Sequence, residues 1–208
     1  MIVVFDLDDT LYDEVEFVKS GFRELANYLK CNEYYDFMIE EFSKNGSGKI
    51  FNNLIEEFDL EIDLKKLIEV YRFHRPTIDL PIESISLLEY AQKFQTALIS
   101  DGHYIMQQNK FSALGLDKYI KLPIFTDFHH TKKPELEPYK LVMNHFIDEK
   151  DFIYISDNPK KDFIATNKLD WTSIRLKNHN GIYKDYESNA TYEVENRLDI
   201  IKILEEMS

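Results

Sequence analysis

Apolar residues along this chain come in short blocks separated by polar ones. The first block, Ile2-Val3-Val4-Phe5, is unbroken and runs into Asp6-Leu7-Asp8-Asp9-Thr10. An uninterrupted apolar run of this kind predicts a strand buried on both faces, as in a parallel sheet. Similar runs follow at Thr96-Ala97-Leu98-Ile99, Leu122-Pro123-Ile124-Phe125 and Phe152-Ile153-Tyr154-Ile155, with a fifth over 171–176. Between them, helix-period patterns cover 84–93, 105–114, 138–146 and 161–168. An acidic amphipathic pattern over 198–207 predicts a helix that closes the domain. Strands alternating with helices predict an α/β fold, a Rossmann-like parallel sheet with helices on both faces.

The stretch 14–78 breaks this rhythm, carrying successive helical stripes and no convincing strand. Val15, Val18, Phe22, Leu25, Ala26 and Leu29 share one helix face; Phe51, Leu54, Ile55 and Phe58 share another, and Leu64, Leu67, Ile68 and Tyr71 a third. The Asn45-Gly46-Ser47-Gly48 break marks a loop between helices. Each stripe reads as core packing, so a small helical bundle is expected as an insertion. The expected domains are a core of 1–13 with 79–208 and a helical domain of 14–78.

Composition narrows the function. Of 208 residues, 44% are hydrophobic, which places the chain among packed globular proteins. A formal net charge of −13 would repel nucleic acid and anionic lipid, so neither is expected as a partner. An anionic substrate would need its own local cluster of cations. Cys31 is the sole cysteine, so no intrachain disulfide can form, which fits a reducing cytoplasm. No apolar run is long enough to span a membrane or to act as a signal peptide. A cytoplasmic monomer acting on a small metabolite is the resulting expectation.

Three acidic clusters follow predicted strand ends, where open α/β sheets bind ligands. They are Asp6 with Asp8, Ser100-Asp101, and Asp157 with Asp162; Lys133-Pro134 lies a few residues beyond the third strand. Each alone has a plainer reading as a turn, a helix cap or a solvated lysine. Together and in this order they resemble the haloacid dehalogenase-like hydrolase superfamily. The matching segments are Phe5-Asp6-Leu7-Asp8-Asp9-Thr10-Leu11, Ile99-Ser100-Asp101-Gly102, Lys133-Pro134, and Ser156-Asp157-Asn158-Pro159-Lys160-Lys161-Asp162. The helical insertion falls where that superfamily carries its C1 cap.

The resemblance implies an Mg²⁺-dependent phosphatase. Asp6 would be the nucleophile and Asp8 the general acid and base, with Lys133 and Ser100 stabilising the transferring phosphoryl group and Asp101 contributing its backbone N–H. Asp6, the Asp8 carbonyl and Asp157 would hold the metal, and Asp162 would support Lys133 or a metal-bound water. An acid at Asp8 separates phosphoryl transfer from dehalogenation, because a halide leaves without a proton. A phosphomutase of the same fold and a non-catalytic binding module are the alternatives. Departures from the family pattern are Asp101 where asparagine is usual, and Ser156 and Asp170 where glycine is common. A narrower resemblance runs through Asp101-Gly102-His103 to Gln107-Gln108-Asn109-Lys110, Asp157 to Asn167-Lys168-Leu169, and Asn180-Gly181-Ile182-Tyr183. It is to phosphatases of capsule and lipopolysaccharide biosynthesis, and implies a phosphorylated sugar, polyol or amino alcohol as substrate. Lys49, Arg72 and His74 are the expected selectivity residues of the helical domain. The adjacent His129-His130 pair would point apart in an extended chain and is not expected to bind metal.

Overall fold

Six strands form one parallel sheet: β1 (Ile2–Phe5), β2 (Gln95–Ser100), β3 (Leu122–Phe125), β4 (Phe152–Ser156), β5 (Thr172–Leu176) and β6 (Tyr192–Val194). Their spatial order is β3-β2-β1-β4-β5-β6. The computed structural model from which this is drawn describes residues 1–178, 181 and 183–208. Every residue of β1 and β4 is buried, as their unbroken apolar sequences require. Pro123 is accommodated because β3 is an edge strand, where a missing N–H need not cost a ladder bond. The strand β6 carries no apolar run, so its sequence does not announce it; it pairs with β5 at the opposite edge.

The chain divides into two compact units, Met1–Glu14 with Asp79–Ser208, and Val15–Ile78. The helical unit contains α1 (Glu14–Tyr28, whose first residue belongs to the sheet unit), α2 (Glu33–Asn45), α3 (Ile50–Glu57) and α4 (Leu64–Phe73). Val18, Phe22, Leu25, Met38, Ile50, Leu54 and Leu67 form its core, so all four helices contribute. Asp63 starts α4 by accepting from the backbone N of Lys65 at 2.9 Å.

In the sheet unit the helices are α5 (Ile82–Ala91), α6 (Tyr104–Ala113), α7 (Glu137–His145), α8 (Asp162–Lys168) and α9 (Arg197–Met207). Ile2, Val4, Ala97, Ile99 and Tyr154 pack with Tyr139 and Val142 of α7 and with Phe163 and Ala165 of α8. Trp171 stacks on Phe152, ring centroids 4.7 Å apart, and is core packing. Alternate residues Val3, Phe5, Leu98, Ile153 and Ile155 point to the other face and are equally buried. Each such side chain contributes about 1.5–3 kcal/mol by leaving water. No helix among the described residues is long and apolar enough to cross a membrane.

The register sets the functional end of the sheet. Phe5 lies opposite Leu98 on one side and Ile155 on the other. Asp6, Ser100 and Asp157 therefore leave neighbouring strands within one residue of the same level. After β1 the chain builds β2 and β3 on one side, then returns to build β4, β5 and β6 on the other. This reversal about β1 is the switch point at which open α/β sheets bind ligands.

Candidate active site

Asp6 is the first residue beyond β1, and its N–H still donates to the Ile155 carbonyl at 2.9 Å, which fixes the backbone. Its side chain is 9% exposed. Asp6 Oδ1 lies 2.7 Å from Lys133 Nζ, while the nearest donor to Oδ2 is Ser156 Oγ at 3.4 Å. Lys133 also pairs with Asp162 Oδ1 at 2.8 Å and donates to Tyr154 Oη at 3.1 Å. The peptide joining it to Pro134 is cis. Burial works against its charge, but Asp162 and Asp6 more than offset this, and Lys133 is held well above the ordinary lysine range.

Carboxylate oxygens of Asp6, Asp157 and Asp162 lie within 4.8 Å of one another. Burial first, then the neighbouring Asp6, Asp9 and Asp162, pushes Asp157 up to about 9. Burial likewise raises Asp6 to about 6 despite the counter-pull of Lys133. Such crowding is what a hard divalent cation would relieve, and an all-oxygen donor set suits one. Asp162 is already engaged, because it pairs with Lys133 and accepts from Ser156 Oγ. Asp6 and Asp157 are therefore the carboxylates best able to hold a metal, with Asp162 bracing Lys133. Ser156, where glycine is common in the family, serves here as a donor to Asp162.

Asp9 takes a left-handed conformation (φ 54°), which aspartate tolerates better than most residues, and turns the chain after Asp8. The Asp8 carboxylate accepts from Tyr12 Oη at 2.6 Å, Gln107 Nε2 at 2.8 Å and Lys110 Nζ at 2.8 Å. Burial opposes its charge, yet Lys110 and the three donors hold it below the ordinary carboxyl range.

Ser100 Oγ is buried at the end of β2 and has no hydrogen-bond partner among the described residues. A buried, unused hydroxyl at this level suits an anionic acceptor such as a phosphoryl oxygen. Asp101 has a carboxylate role that was not foreseen. It accepts from Thr126 Oγ1 at 2.8 Å, from the backbone N of Lys133 at 3.0 Å and from Lys161 Nζ at 2.8 Å. Its side chain thus anchors the loop that presents Lys133, and Lys133 and Lys161 hold its carboxyl below the ordinary range although burial opposes them. A carboxylate so engaged would repel phosphate, so only its backbone N–H remains available for phosphate binding.

Asp6, Asp8, Asp101, Lys133 and Asp157 line a pocket of about 250 Å³, to which Lys161, Asn158 and Tyr183 also contribute; Ser100 and Asp162 lie behind this lining. Tyr183 is held in place through Arg175, which is fully buried on β5. The Arg175 guanidinium donates to the carbonyls of Tyr183 at 2.6 Å, Tyr186 at 2.5 Å and Asp157 at 3.4 Å, and pairs with Glu193 at 2.9 Å. Of the segment Asn180-Gly181-Ile182-Tyr183, Asn180 and Ile182 lie outside the described residues. Lys161, Tyr12, Gln107, Lys110 and Arg175 were not assigned from sequence. The i, i+3 spacing of Gln107 and Lys110 on α6 was the available signal.

In the helical unit, Lys49 and Arg72 line one cavity of about 270 Å³, walled mainly by Val18, Phe22, Phe51, Leu64, Ile68 and Tyr71. Neither cation has an ion-pair partner among the described residues. His74 departs from the expectation. It is buried, with Nδ1 2.6 Å from the Tyr71 carbonyl and Nε2 3.1 Å from Ser20 Oγ, and so is spent on internal bonding rather than on a ligand. His129 and His130 are exposed and join no candidate metal cluster among the described residues.

Comparison with known proteins agrees with this geometry. The family profile of haloacid dehalogenase-like hydrolases matches residues 3–176. Glyceraldehyde 3-phosphate phosphatase from Methanocaldococcus jannaschii is 25% identical, over 99% of this chain and 97% of its own length. The HAD-hydrolase YfnB from Bacillus subtilis, solved bound to magnesium, superposes with a TM-score of 0.72 at 18% identity, over 98% of this chain and 97% of that one. L-2-haloacid dehalogenase from Xanthobacter autotrophicus, with chloropropionic acid covalently bound, gives a TM-score of 0.68 at 16% identity, over 100% of this chain and 99% of that one.

Proposed function

Because the chain belongs to the haloacid dehalogenase-like hydrolase family, we propose that it is a phosphatase that hydrolyses a small phosphate monoester through an aspartyl-phosphate on Asp6. The observation that carries this reading is the buried Asp6 carboxylate, 2.7 Å from Lys133 Nζ and beside Asp157 at the sheet's switch point. The substrate class is a phosphorylated sugar, polyol, amino alcohol or similarly small metabolite. The Methanocaldococcus relative, named for a three-carbon phosphate, supports that size. The enzyme acts in the cytoplasm, in keeping with its single cysteine.

Asp6 Oδ2 is the attacking atom, since Oδ1 is tied to Lys133. As the bond from phosphorus to the ester oxygen breaks, Asp8 delivers to that oxygen the proton it took from water in the preceding turnover. Lys133 and Ser100 then hold the equatorial phosphoryl oxygens, where negative charge is spread in the transition state. In the second half-reaction Asp8 takes a proton from water as it attacks the phosphorus of the acyl phosphate, freeing Asp6. Asp6, Asp157 and the Asp8 carbonyl would hold Mg²⁺, which when bound would offset the negative charge of the nucleophile and the phosphoryl group. Asp8 is also what weighs against dehalogenation, in which no leaving oxygen needs a proton.

Every substrate shares the phosphoryl group, so these residues cannot choose among leaving groups. That choice is assigned to the helical unit, through Lys49 and Arg72 beside apolar walls.

The test is a panel of phosphate esters, assayed for free phosphate with no bisphosphate activator, which also separates a phosphatase from a phosphomutase. Turnover should cease with EDTA and return with excess Mg²⁺. Acid quenching during turnover should trap a phosphoryl adduct on Asp6, detectable by peptide mass spectrometry. Full turnover in metal-stripped protein, or an adduct on another residue, would overturn the reading.

A further inference from the structure

The loop after β2 and the helix α6 carry two buried polar side chains that the mechanism above leaves unused. Gln107 and Lys110 lie three residues apart, hence on one face of α6, and are 2% and 0% exposed. A fully buried ammonium is tolerated only when paired. Lys110 is paired with Asp8 Oδ1 at 2.8 Å and with Glu14 Oε1 at 3.4 Å. It does not line the catalytic pocket, although Asp8 and Gln107 both do. Lys110 therefore acts on Asp8 and not on substrate.

Gln107 Nε2 donates to Asp8 Oδ2 at 2.8 Å and to the Asp101 carbonyl at 2.5 Å, which uses both amide hydrogens and joins the loops after β1 and β2. Gly102 makes this possible. Its φ is +127°, and a Cβ there would meet Gln107 Nε2 at 2.8 Å. Tyr12 Oη completes the set at 2.6 Å from Asp8 Oδ1. A carboxylate offers about four lone-pair positions. Oδ1 accepts two donors and Oδ2 accepts one, which leaves one position, on Oδ2, with no donor among the described residues.

Resting on the phosphatase reading of Asp8, we propose that Lys110, Gln107 and Tyr12 are positioning residues that lock the Asp8 carboxylate so that Oδ2 faces the reacting oxygens. The proton that leaves with the alcohol comes from this atom as the ester bond breaks, and the proton taken from water in the second half-reaction returns to it. Substitution of the lock leaves nucleophilic attack by Asp6 intact and impairs proton delivery, so the damage scales with how much the leaving group needs a proton.

The experiment compares kcat/KM of the full-length wild type, Lys110→Met and Tyr12→Phe, with Mg²⁺ present, on p-nitrophenyl phosphate and phenyl phosphate. The two esters are close in shape, but nitrophenolate departs readily without a proton. Because kcat/KM reports steps up to the first irreversible one, it isolates proton donation from the later hydrolysis. Lys110→Met should lose at least about tenfold on phenyl phosphate, within the range of general acid catalysis, and less than about threefold on p-nitrophenyl phosphate. Tyr12→Phe keeps the ring and removes only the hydroxyl, so it should fold in any case and shift the ratio in the same direction by less. Equal losses on both esters, or no loss on phenyl phosphate, would overturn the proposal and leave the phosphatase reading standing. Absence of phosphate release by the wild type from either ester would overturn both.

Discussion

Two of the cavities among the described residues are of nearly equal volume, about 250 Å³ at the end of the sheet and about 270 Å³ in the helical unit. They are built on opposite principles. At the sheet, charged groups crowd together and are mutually braced, with Lys133 shared by Asp6 and Asp162 and Asp8 held by three donors. In the helical unit, apolar walls surround two cations, Lys49 and Arg72, that no acid among the described residues neutralises. A braced site can fix the geometry of a group common to all substrates, whereas an apolar one with free charge can adapt to what varies. The contrast predicts that substitutions in the first cavity strike catalysis and those in the second strike affinity.

The largest effect should come from Asp6→Asn, which removes the proposed nucleophile. Its kcat should fall by at least about a thousandfold, equivalent to ~4 kcal/mol, with no trapped adduct and an unchanged circular dichroism spectrum. Retained turnover in protein free of wild type would break the assignment. Lys133→Met should lose about a hundredfold or more in kcat. It should also lower unfolding free energy by about 3 kcal/mol, because Asp6 and Asp162 are left buried without their cation. Denaturant titration in metal-free buffer checks the second figure. Third, Mg²⁺ at about a hundred times its Kd should stabilise the wild type by about 2.7 kcal/mol, raising its Tm. Asp157→Asn should abolish that rise, and a full Tm response in the variant would remove Asp157 from the metal site. The smallest effect belongs to the helical cavity. Lys49→Ala and Arg72→Ala should raise KM for the preferred ester by about tenfold or less, leave kcat nearly unchanged and spare p-nitrophenyl phosphate. Their stability should stay within about 0.5 kcal/mol of wild type. Equal losses on both substrates would erase the distinction between the cavities.

The central strands and the helices around them were legible because burial on both faces forces long apolar runs, as in Ile2–Phe5 and Phe152–Ser156. The edge strand β6 was not, because Tyr192 and Glu193 are exposed and only three residues pair. The same logic divides the site. Asp6, Asp8, Ser100 and Asp157 could be named as candidates because they lie at strand ends that the apolar pattern locates, and Lys133 because it lies a few residues beyond the third strand. Lys110 and Gln107 sit inside a helix whose pattern says nothing of what their polar ends meet, 102 and 99 residues away in sequence. Asp101 shows a further gap: the residue was found, but its carboxylate serves the Lys133 loop. His74 was named with its cationic neighbours in sequence, and sequence could not show that its ring is buried and bonded to Tyr71 and Ser20.

Arg175 has a consequence for how the pocket can change over time. The family match ends at residue 176, so Tyr183 and β6 belong to the stretch beyond it. One guanidinium joins that stretch to the family-matched region, grasping the carbonyls of Tyr183 and Tyr186 and reaching the carbonyl of Asp157, a proposed metal ligand. Glu193, at the outer edge of the sheet, holds the same guanidinium. A substitution at Glu193 in the outermost strand is therefore mechanically coupled, through the Arg175 side chain, to the loop that carries Asp157. The tail can be remodelled, and one wall of the pocket with it, while every reacting group keeps its own strand and its own partners.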